Sequence, residues 1–198
     1  DRMTSIGKIE DAIVKRITAA VADQTLGYTL KKAKSYGGEL ADGIERAVKD
    51  FPAVLCVYNG DTLDMSRSTQ MQDMRIFNFV LFCCARNLRN EEANRKGAGD
   101  KVGSYQIADD MRRLFREHVF AEFDSEPVRV MGVRPVINDK AGQQLASVYA
   151  VDLQLTLSID YEPDTSGLND FKVFHANWDI PPFSEDIQSP LPVDDKAD

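Results

Sequence analysis

Alternating residues between positions 145 and 161 constrain the fold more than any other feature. The odd positions are Leu145, Ser147, Tyr149, Val151, Leu153, Leu155, Leu157, Ile159 and Tyr161, whereas the even ones from position 152 are Asp152, Gln154, Thr156, Ser158 and Asp160. Successive side chains of a strand point to opposite faces, so a period of two predicts a long strand with one packed face and one wet face. Such strands are typical of antiparallel sheets. Residues 138–142 predict a hairpin turn that joins this strand to the preceding one.

The chain before this strand predicts further strands and three helices. Apolar residues recur at three- and four-residue steps in segments 6–21, 40–51 and 105–115, which is typical of amphipathic helices. A turn at Gly27 precedes a short strand. The buried run 53–60 predicts a strand that Asn59 and Gly60 end, and segment 69–87 predicts a long strand at the centre of the sheet.

This order of elements defines the predicted fold. We expect a single α+β domain over residues 4–162, with a mainly antiparallel sheet and about three helices packed on one face. Asp1 and Arg2 precede Met3 and are interpreted as a cloning remnant.

Residues 163–198 predict an extended C-terminal arm. Segment 175–198 contains four prolines and no regular period, so it should be ordered only where its large apolar side chains find a surface. Burial of such a side chain contributes about 1.5–3 kcal/mol. We therefore expect Phe174, Trp178 and Phe183 to contact a neighbouring protein.

Composition argues against several classes of partner. A net charge of −8 disfavours specific binding to nucleic acid, because such binding draws its affinity from clustered Lys and Arg. The apolar run 79–85 is far too short to cross a membrane. Cys56, Cys83 and Cys84 lie in strand-like apolar runs and are predicted to be buried thiols. The last two would point to opposite faces and could not readily bind one metal ion.

Candidate catalytic groups are sparse. The two histidines are predicted late on the third helix (His118) and on the arm (His175), and no serine or cysteine lies in a triad context. The carboxylates of Asp109, Asp110, Glu122, Asp124 and Glu126 are interpreted as solvent-facing. We expect no catalytic residue, cofactor or metal.

A glycine-rich loop precedes the third helix and raises the alternative of a small nucleotide- or phosphate-binding enzyme. Gly97, Gly99 and Gly103 match neither a Walker A loop nor G-x-G-x-x-G. Ten residues also separate Arg86 from Gly97, and Asp100 would repel a phosphate. The favoured interpretation is a flexible, charged connector, and the enzyme remains the alternative from another class.

The densest basic cluster of the chain lies around this loop, at Arg86, Arg89, Arg95, Lys96 and Lys101. It is either a solvated loop or a contact surface for an acidic partner or another copy of the chain. We favour contact roles for the first four residues, and both interpretations stay open.

Six segments, in this order and spacing, resemble Mu-like phage and prophage tail terminators: IGKIEDAIVKRI, DFPAVLCVYNG, ARNLRNEEANRKG, VGSYQIADDMRRLF, SVYAVDLQLTL and FHANWDIPPF. The resemblance covers most of residues 6–183. It implies a structural α+β protein that caps the tail tube or sheath, commonly as a hexameric ring, and offers a surface to neck or head-completion proteins. The location implied is the virion tail, with assembly in the bacterial cytoplasm. A head–tail adaptor or neck protein is the alternative within this class.

Overall fold

The computed structural model describes residues 5–37, 50–86, 95–97, 101–136, 146–160, 173–176 and 187–190. The chain divides into two compact units, residues 1–161 and 162–198. The first unit contains α1 (Ser5–Ala22), β1 (Lys32–Ser35), β2 (Ala53–Leu63), β3 (Gln72–Arg86), α2 (Ser104–Phe115), β4 (Arg129–Pro135) and β5 (Ala146–Asp160). A short 3-10 helix spans Ala121–Phe123. The second unit contains the antiparallel pair of β6 (Val173–Ala176) and β7 (Ile187–Pro190).

The first unit is built on a five-stranded sheet with the order β1-β2-β3-β5-β4. β1 pairs with β2 in parallel, and the other neighbours are antiparallel. The sheet is therefore mixed, although it is mainly antiparallel as predicted. β3 lies at its centre and pairs with β5 over its whole length, from Gln72 opposite Asp160 to Arg86 opposite Ala146. The predicted long strands are both confirmed.

The main core lies between one face of this sheet and the two described helices. Odd-numbered residues of β3 and β5, including Phe79, Leu81, Leu153 and Leu155, pack with Ile13 of α1. Buried residues of α2 complete this cluster: Ile107, Ala108, Met111 and Phe115. The described odd positions of the alternating sequence thus face the helices, because the period of two places them on a single face.

Two α-helices are described in this unit, and the prediction of about three is corrected accordingly. The helix predicted at 40–51 falls almost entirely on residues 38–49, which lie outside the described residues. The predicted hairpin turn at 138–142 lies outside them as well.

The opposite face of the sheet changes character along its length. Near one end, Ala53, Leu55, Cys84 and Val148 form a second buried cluster with Phe51. Toward the other end the residues are polar and pair across strands: Gln154 donates to Asn78 at 3.0 Å, and Arg134 contacts Asp152 at 3.1 Å. This change follows the even positions of β5, which are apolar up to residue 150 and polar from residue 152.

β2 does not end at Asn59 and Gly60, so that prediction is wrong. The strand continues to Leu63, and its pairing with β3 shifts register between Tyr58 and Asp61. Gly60 adopts φ +89° at this point, a conformation that glycine adopts without steric cost. The Asn-Gly pair therefore makes a β-bulge rather than a turn.

Candidate protein–protein interface

The glycine-rich stretch before α2 is closely packed. Described residues Arg95 to Gly97 lie against Gly103, where a Cβ atom would come within 2.3 Å of both the Arg95 carbonyl oxygen and the Gly97 nitrogen. Gly97 itself has φ +85°, and a Cβ there would lie 2.8 Å from the Lys101 carbonyl oxygen. These two glycines allow one backbone to touch another. Flexibility is therefore the wrong explanation for them, and Gly99 lies outside the described residues.

A cavity of about 570 Å³ opens beside this crossing. Three cations from separate parts of the sequence line it: Lys31 before β1, Arg86 at the end of β3, and Lys101 before α2. The other described lining residues are Gly27, Tyr28, Thr29, Phe51, Pro52 and Val102. None of these is acidic, so the described wall is cationic in a chain whose net charge is −8. We call this cavity the basic pocket.

Backbone pairing brings the first of these cations to the pocket. The Lys31 N–H donates to the Pro52 carbonyl oxygen at 2.8 Å, immediately before β1 joins β2 in parallel. The connection thus sets Lys31 next to Phe51 and Pro52, which form part of the apolar wall. The pocket therefore combines positive charge with apolar surface.

Tyr28 lines the pocket, and its buried phenol is neutral. Burial, together with the nearby Asp110 carboxylate of α2, raises the pKa of Tyr28. Burial also raises the pKa of Asp110, against the opposing effects of Tyr28 and Arg113. The phenol stays protonated at neutral pH because its pKa lies above the ordinary value of 10. The positive potential of the pocket therefore comes from its lysines and arginine.

The turn between β2 and β3 is a second structured surface. The Asp64 carboxylate accepts hydrogen bonds from the Ser66 hydroxyl at 2.6 Å and from Arg67 Nε at 2.8 Å. These two bonds lower the pKa of Asp64. Arg67 also pairs with Glu126, which precedes β4. The turn is thereby held to a distant part of the chain.

Large apolar side chains project from this braced turn. Met65 is 82% exposed and Met71 is 55% exposed, and Leu63 at the end of β2 is also exposed. Methionine is adaptable and is common at binding surfaces. The turn thus presents apolar side chains next to the contacts of Asp64 and Arg67 that hold it.

A network of part-buried polar side chains lies at the base of the same hairpin. The Tyr58 hydroxyl and the Arg75 guanidinium both donate to the Asp61 carboxylate. Arg75 also lies 3.5 Å from Asp73. Burial and the bond to Asp61 raise the pKa of Tyr58 to about 12, while the bonds from Tyr58 and Arg75 lower the pKa of Asp61. The carboxylate is charged in this arrangement.

The predicted contact residues differ in their exposure and in whether they lie within the described part of the chain. Arg86 is exposed and lines the basic pocket, Lys96 is exposed, and Arg95 is half-buried. Phe174 lies on β6 opposite Ser189 of β7. The three others lie outside the described residues: Arg89, Trp178 and Phe183. Their contact roles stay predictions.

Sequence reasoning missed Lys31, Tyr28 and Thr29 as neighbours of Arg86. They are distant in sequence, and only the parallel pairing of β1 with β2 brings them near the end of β3. The run of lysines at 31, 32 and 34 was the available signal. It indicates a basic sheet edge but not what that edge adjoins.

Cys56, Cys83 and Cys84 are buried free thiols, as predicted, and burial raises the pKa of Cys83 well above its ordinary value. His118 lies beyond the end of α2 rather than on it, with its ring 4.7 Å from that of Phe120. Burial and the charge of Arg16 lower its pKa.

Among the described residues, no group of three or more His, Cys, Asp or Glu residues could hold a metal ion. Among the helices described there, none combines the length and apolar character needed to cross a membrane.

Comparison with known families identifies the class of protein. Residues 5–162, which contain the whole five-stranded sheet and both described helices, match a family model from a Mu-type bacteriophage, so this is a phage protein. The family is described as Bacteriophage Mu, Gp37, and the chain belongs to it. The resemblance to Mu-like phage proteins is therefore confirmed, and a virion component fits this family. No curated protein matches the chain.

Proposed function

We propose that this protein is a tail terminator, a structural protein that caps the tail tube or sheath as a ring and provides the surface on which the head joins. Membership of the Gp37 family across residues 5–162 is the observation that carries this proposal. The order of the six resembling segments supports the narrower role. The proposed location is the virion tail, with assembly in the host cytoplasm.

Two of the described surfaces support the proposal of a ring. A cyclic ring uses heterologous contacts, in which a patch on one subunit meets a different patch on the next. The basic pocket and the braced turn with Met65 and Met71 are two such different patches. The net charge of −8 favours contact between the basic pocket and acidic side chains of the next subunit. The proposed partners are other copies of the chain in a hexameric ring, the tail-tube or sheath protein, and a neck or head-completion protein.

A non-enzymatic role fits these surfaces. Arg86 faces a pocket whose described lining contains no carboxylate, histidine or cysteine. Its described lining of cations and apolar side chains suits recognition of a charged partner. Arg89, Arg95, Lys96, Phe174, Trp178 and Phe183 are proposed as further contact residues.

Particle symmetry tests this role. Native mass and electron microscopy should be measured on the purified protein and on tails assembled with it. We expect sixfold rings, alone or at the head-proximal end of tail tubes. Rings of another symmetry that bind the portal side would indicate a head–tail adaptor instead. Tails of normal regulated length that lack the protein would contradict the proposal.

Calorimetry tests the enzymatic alternative. ATP, GTP and inorganic phosphate should be titrated into the wild-type protein and into Gly99→Val. We expect no saturable heat in either case. Micromolar nucleotide affinity that the substitution abolishes would replace the structural role with a nucleotide-binding one.

A further inference from the structure

The chemistry of the basic pocket selects a particular kind of ligand. Lys31, Arg86 and Lys101 surround a space of about 570 Å³, within the range of pockets that enclose small ligands or a few side chains. Phe51, Pro52 and Val102 contribute apolar surface to the same space. A ligand that satisfies both features carries negative charge next to apolar groups. An acidic peptide with neighbouring aliphatic residues has this composition.

Nucleic acid fits the pocket less well. A protein that binds a polyanion usually presents a basic groove along which several phosphates lie. Here the three cations are confined to a single cavity, and the whole chain carries a net charge of −8. Long-range repulsion would oppose a polyanion, whereas a short acidic segment needs only the local field.

The sequence of the chain contains a segment with the required pattern. Residues 191–195 read Leu-Pro-Val-Asp-Asp, two aliphatic side chains followed by two carboxylates. The proline restricts the free segment and lowers the entropy lost when it binds in an extended form. These residues lie outside the described ones, and the segment follows β7.

We propose that the basic pocket of one copy binds residues 191–195 of a second copy. Asp194 and Asp195 would pair with the cations of the pocket, and Leu191 and Val193 would lie on its apolar wall. This inference rests on the self-association in the proposed function, because it names the contact that would join adjacent subunits.

Peptide binding tests the pocket directly. A fluorescent peptide of residues 184–198 should be titrated into the full chain carrying Asp194→Asn and Asp195→Asn, because these substitutions weaken competition from the segments of neighbouring copies. We expect saturable binding that weakens as salt rises, because the contact is electrostatic. The same peptide with both aspartates replaced by asparagine should bind about tenfold more weakly or not at all. Equal binding of the two peptides would overturn the proposal.

Matched variants locate the binding site. Arg86→Glu and Lys101→Glu reverse exposed charges of the pocket, whereas Lys8→Glu makes the same change on an exposed position of α1. We expect about tenfold weaker peptide binding for the first two and unchanged binding for the third, with equal melting temperatures. Equal peptide affinity in all three would show that the pocket is not the site. A DNA oligonucleotide that binds more tightly than the peptide and displaces it would assign the pocket to nucleic acid.

Charge exchange separates this inference from the proposed function. One variant carries Asp194→Lys and Asp195→Lys, and the other carries Arg86→Glu and Lys101→Glu. Neither variant should assemble alone, and mixing the two should restore assembly. If rings form but the peptide does not bind, the inference is wrong and the ring proposal stands. If the peptide binds but the protein caps no tails, the tail-terminator role is wrong and the pocket assignment stands.

Discussion

Gly103 shows how a single missing side chain can determine the shape of a loop. The Arg95 carbonyl oxygen and the Gly97 nitrogen both occupy the space that a Cβ atom would need. We predict that Gly103→Ala lowers the free energy of unfolding by about 1–3 kcal/mol, because the crossing backbones must separate. Urea unfolding followed by circular dichroism measures this change.

Gly132→Ala is the matched control for that substitution. Gly132 lies in β4, and no atom comes within 4 Å of an added Cβ. We expect a change of less than about 0.5 kcal/mol. Similar losses in the two variants would show that the crossing of residues 95–97 with Gly103 does not determine stability.

Asp61 is expected to make the stability of the protein depend on pH. Hydrogen bonds from Tyr58 and Arg75 lower the pKa of Asp61 in the folded chain. Its contribution to the free energy of unfolding is therefore present above the ordinary aspartate pKa near 4 and is lost as pH falls through the lowered pKa. We predict that Asp61→Asn costs about 1 kcal/mol at pH 7 and progressively less below pH 4. Chemical unfolding at several pH values measures the difference, and Asp11→Asn on the exposed side of α1 is the control. A difference that stays constant down to pH 2 would contradict this prediction.

Between elements, Arg16 joins the two described helices. Its Nε and Nη2 atoms donate to the Leu114 carbonyl oxygen at 3.0 and 2.8 Å, near the end of α2, where carbonyl groups lack partners within the helix. We predict that Arg16→Met destabilises the fold by about 1.5–3 kcal/mol, as expected for hydrogen bonds to a charged group. Thermal unfolding measures the loss of stability. Lys15→Met, at the neighbouring exposed position, is the control. Equal melting temperatures for the two variants would show that the contact is not stabilising.

The elements differ in how far sequence could predict them. β5 and β3 were predictable because alternation and continuous apolarity report directly on one packed face and on a central position. The end of β2 was not, since Asn59 and Gly60 favour a turn and a bulge alike, and only pairing with β3 decides between them. The basic pocket was predictable only in part. Arg86 and Lys101 belong to a visible cluster, but Lys31 joins them through the parallel pairing of β1.

For the whole molecule, the division at residue 162 predicts separable roles. Residues 1–161 form a compact unit with their own core. We predict that truncation after Glu162 leaves this unit cooperatively folded but weakens assembly by at least about tenfold, because the proposed contacts of Phe174, Trp178 and Phe183 are removed. Sedimentation velocity compares assembly of the two chains, and near-ultraviolet circular dichroism checks the fold. Equal assembly would contradict a contact role for the arm.

The β3–β5 pairing also affects how the protein is made. β3 is apolar on both faces in its second half, yet the strand that covers one of its edges begins at Ala146, about 60 residues after Arg86. At about 5–20 residues per second, a ribosome needs about 3–12 s to synthesise that interval. During this time the edge of β3 that will pair with β5 has unpaired backbone groups. Newly made protein is therefore most vulnerable to aggregation before β5 is synthesised.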